Sequence, residues 1–289
     1  MPTRTLWGDA WRRLRRNKLA LVALGYLAII LVFAVTADLW AKPLFGEFMY
    51  VDSTTVMQTR FQAPSAMHWM GTDDFGRDEL ARVVYGARIS LAIGIGATTL
   101  AVTLGLLLGG LSGYYGGRVD GVIMRMTDVF LAFPYLLFAI LLMSVMGPGF
   151  WSLVIAIGIL GWTTIARVFR SSVLSVKENE YVDAARAMGA SDLRILGRHI
   201  LPNAMAPIIV YSTMSVGGVI LSEAALSFLG LGIQPPTPSW GRMLDESQTY
   251  MTTHPSLFIW PGLAIVLTVL AFVLLGDGLR DALDVKMKD

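Results

Sequence analysis

Long uncharged stretches separated by short polar segments organise this chain. A helix that crosses a bilayer needs about 20 mostly apolar residues, because the hydrocarbon core is about 30 Å thick and the helix rises about 1.5 Å per residue. Leu19 to Ala37 is the first such stretch, preceded by the basic cluster Arg12, Arg13, Arg15, Arg16 and Lys18. It exceeds the apolar core of a cleaved signal peptide, which runs to about 7 to 15 residues, so a retained span is predicted. Ile89 to Gly117 is the second, rich in glycine at Gly94, Gly96, Gly105, Gly109, Gly110 and Gly113, and small residues let helices pack closely in lipid. Val129 to Ala166 is uncharged throughout and predicts two spans that turn at Gly147-Pro148-Gly149. A fifth runs from Ala204 to Leu231, interrupted by Glu223, and a sixth from Leu257 to Gly276. The expectation is an all-α membrane protein of six transmembrane helices, with both termini on one side.

This pattern divides the chain into an amino-terminal tail (1–18), a first span (19–37), an outer segment (38–88), a core of five helices (89–277) containing a loop at 171–203, and a carboxy-terminal tail (278–289). With the amino terminus inside, 17 of the 23 lysines and arginines fall in inner segments, as the positive-inside rule requires. Arg82 and Arg88 are the discordant pair, close to the second span on its outer side. Around them Leu80, Val83, Val84 and Ala87 recur at helical spacing after Asp78 and Glu79. That pattern reads either as an interfacial amphipathic helix on the membrane surface or as one packed on neighbouring loops. In the second large outer loop, Pro235-Pro236-Thr237-Pro238 stiffens the backbone, and Trp240 beside it is placed as an interfacial anchor.

Composition agrees with a lipid-facing surface: 15% of residues are charged, 55% are hydrophobic and the mean hydropathy is +0.60, against about 25% charged in soluble domains. A net charge of +2 gives no reason to expect a nucleic-acid partner. The chain has no cysteine, which excludes disulfides and thiolate chemistry. His68, His199 and His254 are scattered and form no zinc motif. No Gly-x4-Gly-Lys-Ser/Thr phosphate loop occurs, so ATP hydrolysis by that route is not expected here. Gly110-Leu111-Ser112-Gly113 resembles the Gly-x-Ser-Gly of intramembrane serine proteases, yet no histidine lies in a predicted span to serve as base, and Ser112 reads as a packing residue. Glu223 is the lone acid inside a span, about 30 Å along its helix. It either reaches water at the outer interface or serves an external gate or translocation path. An ion-coupled carrier needs more buried ionisable groups or broken helices, so the energy for transport is expected from outside the chain.

The loop at 171–203 carries the most information. Glu180 to Met188 is rich in helix formers, Gly189 stands where a helix ends in a left-handed residue, Ser191 where a second helix is capped, and Pro202 where it stops. Ala184, Ala185 and Ala187 give the first helix a thin surface open to close approach by another protein. A plain helical hairpin over the inner ends of the bundle accounts for the same pattern.

Asp183-Ala184-Ala185, three residues, Gly189, nine residues and then His199-x-Leu201-Pro202 resembles the Glu-Ala-Ala…Gly…Ile-x-Leu-Pro signature of ABC-importer permeases. Aspartate replaces glutamate at 183 and histidine replaces isoleucine at 199. Gly71-Thr72-Asp73-Asp74-Phe75-Gly76-Arg77-Asp78, Tyr85-Gly86-Ala87-Arg88-Ile89-Ser90, the Pro235–Gly241 loop and Gly276-Asp277-Gly278-Leu279-Arg280-Asp281 are similar to the dipeptide and oligopeptide permease subunits of the DppC/OppC type. The resemblance implies a type I ABC importer permease fold in the inner membrane of a prokaryote, multi-pass, with both termini cytoplasmic. It makes Asp183, Ala184, Ala185, Gly189, His199, Leu201 and Pro202 the coupling loop that docks an ATPase subunit. The implied partners are a second, DppB/OppB-like permease, two ATPase subunits and an extracytoplasmic binding protein. ATP and Mg would be bound by the ATPase subunits, with no cofactor and no catalysis in this chain. Cargo would be dipeptides or oligopeptides; the family also moves nickel, glutathione and oligosaccharides. The alternative from another class is a secondary carrier or channel that acts alone.

Overall fold

A computed structural model describes residues 6–45 and 53–284; parts of the expected amino-terminal tail (1–5), outer segment (46–52) and carboxy-terminal tail (285–289) lie outside the described residues. The described chain is helical, with a single isolated bridge between Thr72 and Asp78. α1 (Leu6–Leu14) precedes the long α2 (Lys18–Phe45), and the short α3 (Ser53–Thr59) lies in the outer segment. Then come α4 (Glu79–Tyr115), α5 (Gly117–Ala132), α6 (Tyr135–Met146) and α7 (Phe150–Lys177). The inner loop holds α8 (Glu180–Ala187), α9 (Asp192–Arg194), a π-helical turn (Ile195–Ile200) and α10 (Leu201–Ala204). α11 (Ala206–Phe228), α12 (Trp240–Ser247) and α13 (Ser256–Leu283) complete the chain.

Five helices, α2, α4, α7, α11 and α13, are long and apolar enough to cross a membrane, and the pair α5–α6, bent by 90°, makes six when its two helices are counted as one span. The third span therefore differs from the uninterrupted run expected up to Gly147. Pro134 has no N–H to continue the helical ladder, and the residue before it, Phe133, is driven to extended backbone (φ −93°, ψ 139°). Beyond that break α6 has 12 residues, about 18 Å of rise, too little to cross alone.

The densest contact in the bundle joins α4 to α7. Gly105, Gly109 and Gly113 fall one turn apart on one face of α4, and a Cβ at Gly109 would run into the carbonyl oxygen of Ala166. Only the missing side chain lets the two backbones approach so closely, the small-residue packing that substitutes for a hydrophobic driving force in lipid. At the other edge, α1 and the start of α2 pack against the end of α13 through Ala10, Leu14, Ala20 and Ala282. Arg13 donates to the Asp284 carbonyl at 2.7 Å, so the two ends of the described chain meet on one side.

Leu80, Val83, Val84 and Ala87 form no separate surface helix. Asp78 caps α4 by accepting the Ala81 N–H at 2.8 Å, and nothing between Ala87 and Ile89 interrupts the ladder, so these residues are the first turns of α4. Val83, Ala87 and Leu91 bury against Ile220, Trp240 and Met243. Thirty-seven residues rise about 55 Å, which carries the charged first turns of α4 beyond the hydrocarbon. Trp240 is likewise no interfacial anchor: it is fully buried, and its indole N–H donates to the Val83 carbonyl at 2.9 Å.

Candidate functional site

The inner loop folds as helix, turn and short helix. Gly189 adopts φ +81°, a left-handed conformation that carries no Cβ penalty in glycine. Its N–H donates to the Arg186 carbonyl at 3.0 Å and that of Ala190 to the Ala185 carbonyl at 3.1 Å, which satisfies the last carbonyls of α8. The loop has two faces. Val182 is buried against the bundle with Ile195 and Ile200, and Ala185 is buried as well. Asp183, Ala184, Ala187 and Gly189 look outward, and beside them Met188 and Leu193 are 82% and 83% exposed. Of the expected docking residues, Ala185 therefore belongs to the inward face; His199 and Leu201 are half-buried and Pro202 is exposed. Pro202 does not stop the helix as expected. It sits in the first turn of α10, where a proline's missing N–H costs no bond. The chain reaches it through the widened turn in which the Leu201 N–H bonds back to Leu196.

At the outer end, Glu223 is 0% exposed and does not reach water. Ser90, Ser227 and Ser239 donate their hydroxyls to its carboxylate at 3.0, 2.7 and 2.9 Å. Each serine oxygen in turn accepts a backbone N–H of the following loop, from Trp240, Ile233 and Arg242 respectively. The carboxylate thus clasps the proline loop to α4 and α11. Only the position of Glu223 was legible in sequence; its partners were not, because they come from three separate segments.

Sequence reading missed a buried charge network beside this clasp. Arg82, 3% exposed, donates to Asp73 and Glu246 at 2.6 Å each. Arg77 reaches the same two carboxylates at 2.6 and 3.2 Å, and Arg242 adds a bond to Glu246 at 3.0 Å. Burial pushes the Glu246 carboxyl up, but the Arg82 and Arg77 guanidiniums outweigh it and hold the group below its ordinary value. Asp74 is shifted the other way, above the usual carboxylate range, by burial and then by Asp73 beside it. The position of Arg82 near an outer span end, discordant with the positive-inside rule, was the signal that a partner network existed. Ser112 donates to Asp120, which binds Arg170; it serves packing and an ion pair, with no histidine at hand.

A family model described as binding-protein-dependent transport system inner membrane component matches residues 83–289. The chain belongs to that permease family. A second model, the N-terminal TM domain of oligopeptide transport permease C, matches residues 5–64 of the permease. The permease is similar to the dipeptide transport system permease protein DppC of Alkalihalophilus pseudofirmus, at 45% identity covering 98% of this chain and 90% of the relative. It is also similar to the glutathione transport system permease protein GsiD of Shigella dysenteriae serotype 1, at 46% identity covering 99% and 92%. Among solved structures, the inward-facing MetNI methionine ABC transporter superposes with a TM-score of 0.59 at 17% identity, over 70% of this chain and 96% of that one. An amino acid ABC transporter gives 0.55 at 19% identity, over 70% and 94%. At these identities the likeness establishes the fold, that of a type I ABC importer permease.

Proposed function

We propose that this permease is one of two membrane subunits of an ATP-driven importer for short peptides, and that its inner loop docks the ATPase. The observation that carries the docking assignment is the outward face of the loop. Met188 and Leu193 project from a helix–turn–helix fixed to the bundle by Val182, Ile195 and Ile200. Two large apolar side chains held in water beside Asp183, Ala184 and Gly189 are what a protein partner buries. His199, Leu201 and Pro202 lie on the exit from this surface and shape it more than they touch the partner.

Peptide cargo is supported by the names of the relatives: one carries dipeptides and the other glutathione, itself a tripeptide. An extracytoplasmic binding protein delivers the cargo, a second permease completes the path, and ATP and Mg act in two ATPase subunits. The absence of a phosphate loop from this sequence fits that division of labour. The basic inner segments support cytoplasmic termini in the cell membrane. Glu223 acts at the external gate as a clasp, holding the proline loop closed over α4 and α11.

The test is uptake in proteoliposomes containing the chain with its native partners. Uptake of peptide bound by the native binding protein is expected to stop when the ATPase nucleotide site is disabled. Uptake that survives that lesion would show a carrier acting alone.

A further inference from the structure

Tyr114, the penultimate residue of α4, is 5% exposed and belongs to the apolar cluster that seats the inner loop. Its hydroxyl donates to Asp192 Oδ1 at 2.6 Å, across the first turn of α9. Its carbonyl accepts Lys177 Nζ at 2.6 Å, from the last turn of α7, and the charged Arg186 side chain of α8 lies beside the phenol. One residue therefore joins the ends of α4 and α7 to the loop, and it is none of the signature positions. Toward α11 the loop packs through Ile200, Ala204 and Ile208 and, among the described residues, makes no comparable side-chain hydrogen bond. It continues into α11 through the π turn, the four-residue α10 and a break at Met205, a run of short pieces rather than one rod.

We infer that Tyr114 is a positioning residue that makes the loop move as one body with the α4–α7 pair, while the loop articulates against α11 through the interrupted run. The geometry supports this in two steps. The glycine face of α4 locks it to α7 along its length, so the pair transmits displacement without shear. A phenol-to-carboxylate bond is charge-assisted and short, the kind that fixes direction as well as distance. A push on α9 is then delivered to the inner end of α4, whose outer end carries Arg82 and Ser90 of the outer network.

This inference rests on the importer reading for its consequence, so the experiment has two arms. In the first, hydrogen exchange of the purified full chain is compared with Tyr114→Phe, which keeps the ring and removes only the oxygen. Exchange at residues 190–196 is expected to rise roughly tenfold, the scale of one charge-assisted hydrogen bond, with α11 unchanged. Unchanged exchange at 190–196 overturns the fastening whatever the protein transports. In the second arm, the complete importer is assayed for peptide moved per ATP hydrolysed. Tyr114→Phe and Asp192→Ala are each expected to lower that ratio roughly tenfold with the ATPase still bound and active, the double variant to be no worse than either, and Asp192→Asn, which still accepts the bond, to preserve it. Effects that multiply in the double variant, or coupling at wild-type level in both single variants, overturn the positioning role. Uptake by the unaltered complex without ATP instead overturns the importer reading and leaves the first arm to judge the fastening.

Discussion

At the outer end of the molecule Arg82 lies between Asp73 and Glu246 with N–O distances of 2.6 Å and almost no contact with water. At the inner end Asp183 and Arg186 form a pair of 3.1 Å whose side chains are half exposed or more. The outer Arg82–Glu246 pair joins segments far apart in sequence, whereas the inner one lies within α8; one region is closed on itself and the other is open on one face. The difference separates two jobs. A group of charges that satisfies itself in the interior holds a shape, because each ion has lost water and depends on its partners. A surface pair is worth about 0–1 kcal/mol and leaves its members free for another protein. The outer cap is built for closure and the inner loop for contact.

If that division holds, substitutions in the cap act on stability and those in the loop act on coupling. The largest effect is expected from Arg82→Ala, which takes the most deeply buried cation from Asp73 and Glu246 and leaves them to Arg77 and Arg242; it should cost about 3 kcal/mol, the low end for a broken buried pair, read as a lowered thermal transition in detergent. Glu223→Ala removes the acceptor of three serine hydroxyls and should cost about 1–3 kcal/mol per group left unsatisfied; the same melt reports it. Gly189→Val places a branched side chain at φ +81°, a local strain of about 1–2 kcal/mol. No heavy atom lies within 4 Å of the added Cβ position, so the strain is in the turn alone. The global melt should barely move while ATPase binding or coupling is lost, and normal assembly with normal transport would remove the loop from the interface.

Acidity sharpens the comparison further. The Glu246 carboxyl is held below its ordinary value in the folded protein, so its contribution is complete above that ordinary value and is lost as pH falls through the depressed one. Asp74 works against it, since its raised value favours the folded state at low pH. Melts recorded from neutral to strongly acid pH should show Glu246→Gln losing less stability on the acid side than the wild type, the difference being the Glu246 share. The smallest effect belongs to Asp183→Asn, expected within about 0.5 kcal/mol of wild-type stability.

Hydrophobic runs made most of the fold legible, because lipid demands about 20 apolar residues per crossing whatever the tertiary contacts. The bend at Pro134 escaped, since a run of uncharged residues looks the same whether or not a proline divides it. Trp240 was misplaced for a related reason: an indole near a span end serves an interface or a core equally well, and only the approach of Val83 from another helix decides. At the loop, Gly189 was readable from its local turn chemistry. The ties of Tyr114 and two of the three serines around Glu223, Ser90 and Ser239, depend on segments more than ten residues apart, where no local pattern points.

The central claim is that the outward face of the inner loop meets an ATPase. Because the chain contains no cysteine, single cysteines at Met188 and Leu193, each carrying a photoactivatable cross-linker, report that contact directly in the assembled complex. The account predicts cross-links from both positions to the ATPase subunit, and none from a cysteine at the exposed outer residue Met67. Failure of both loop positions to reach the ATPase in a complex that hydrolyses ATP and imports peptide would contradict it.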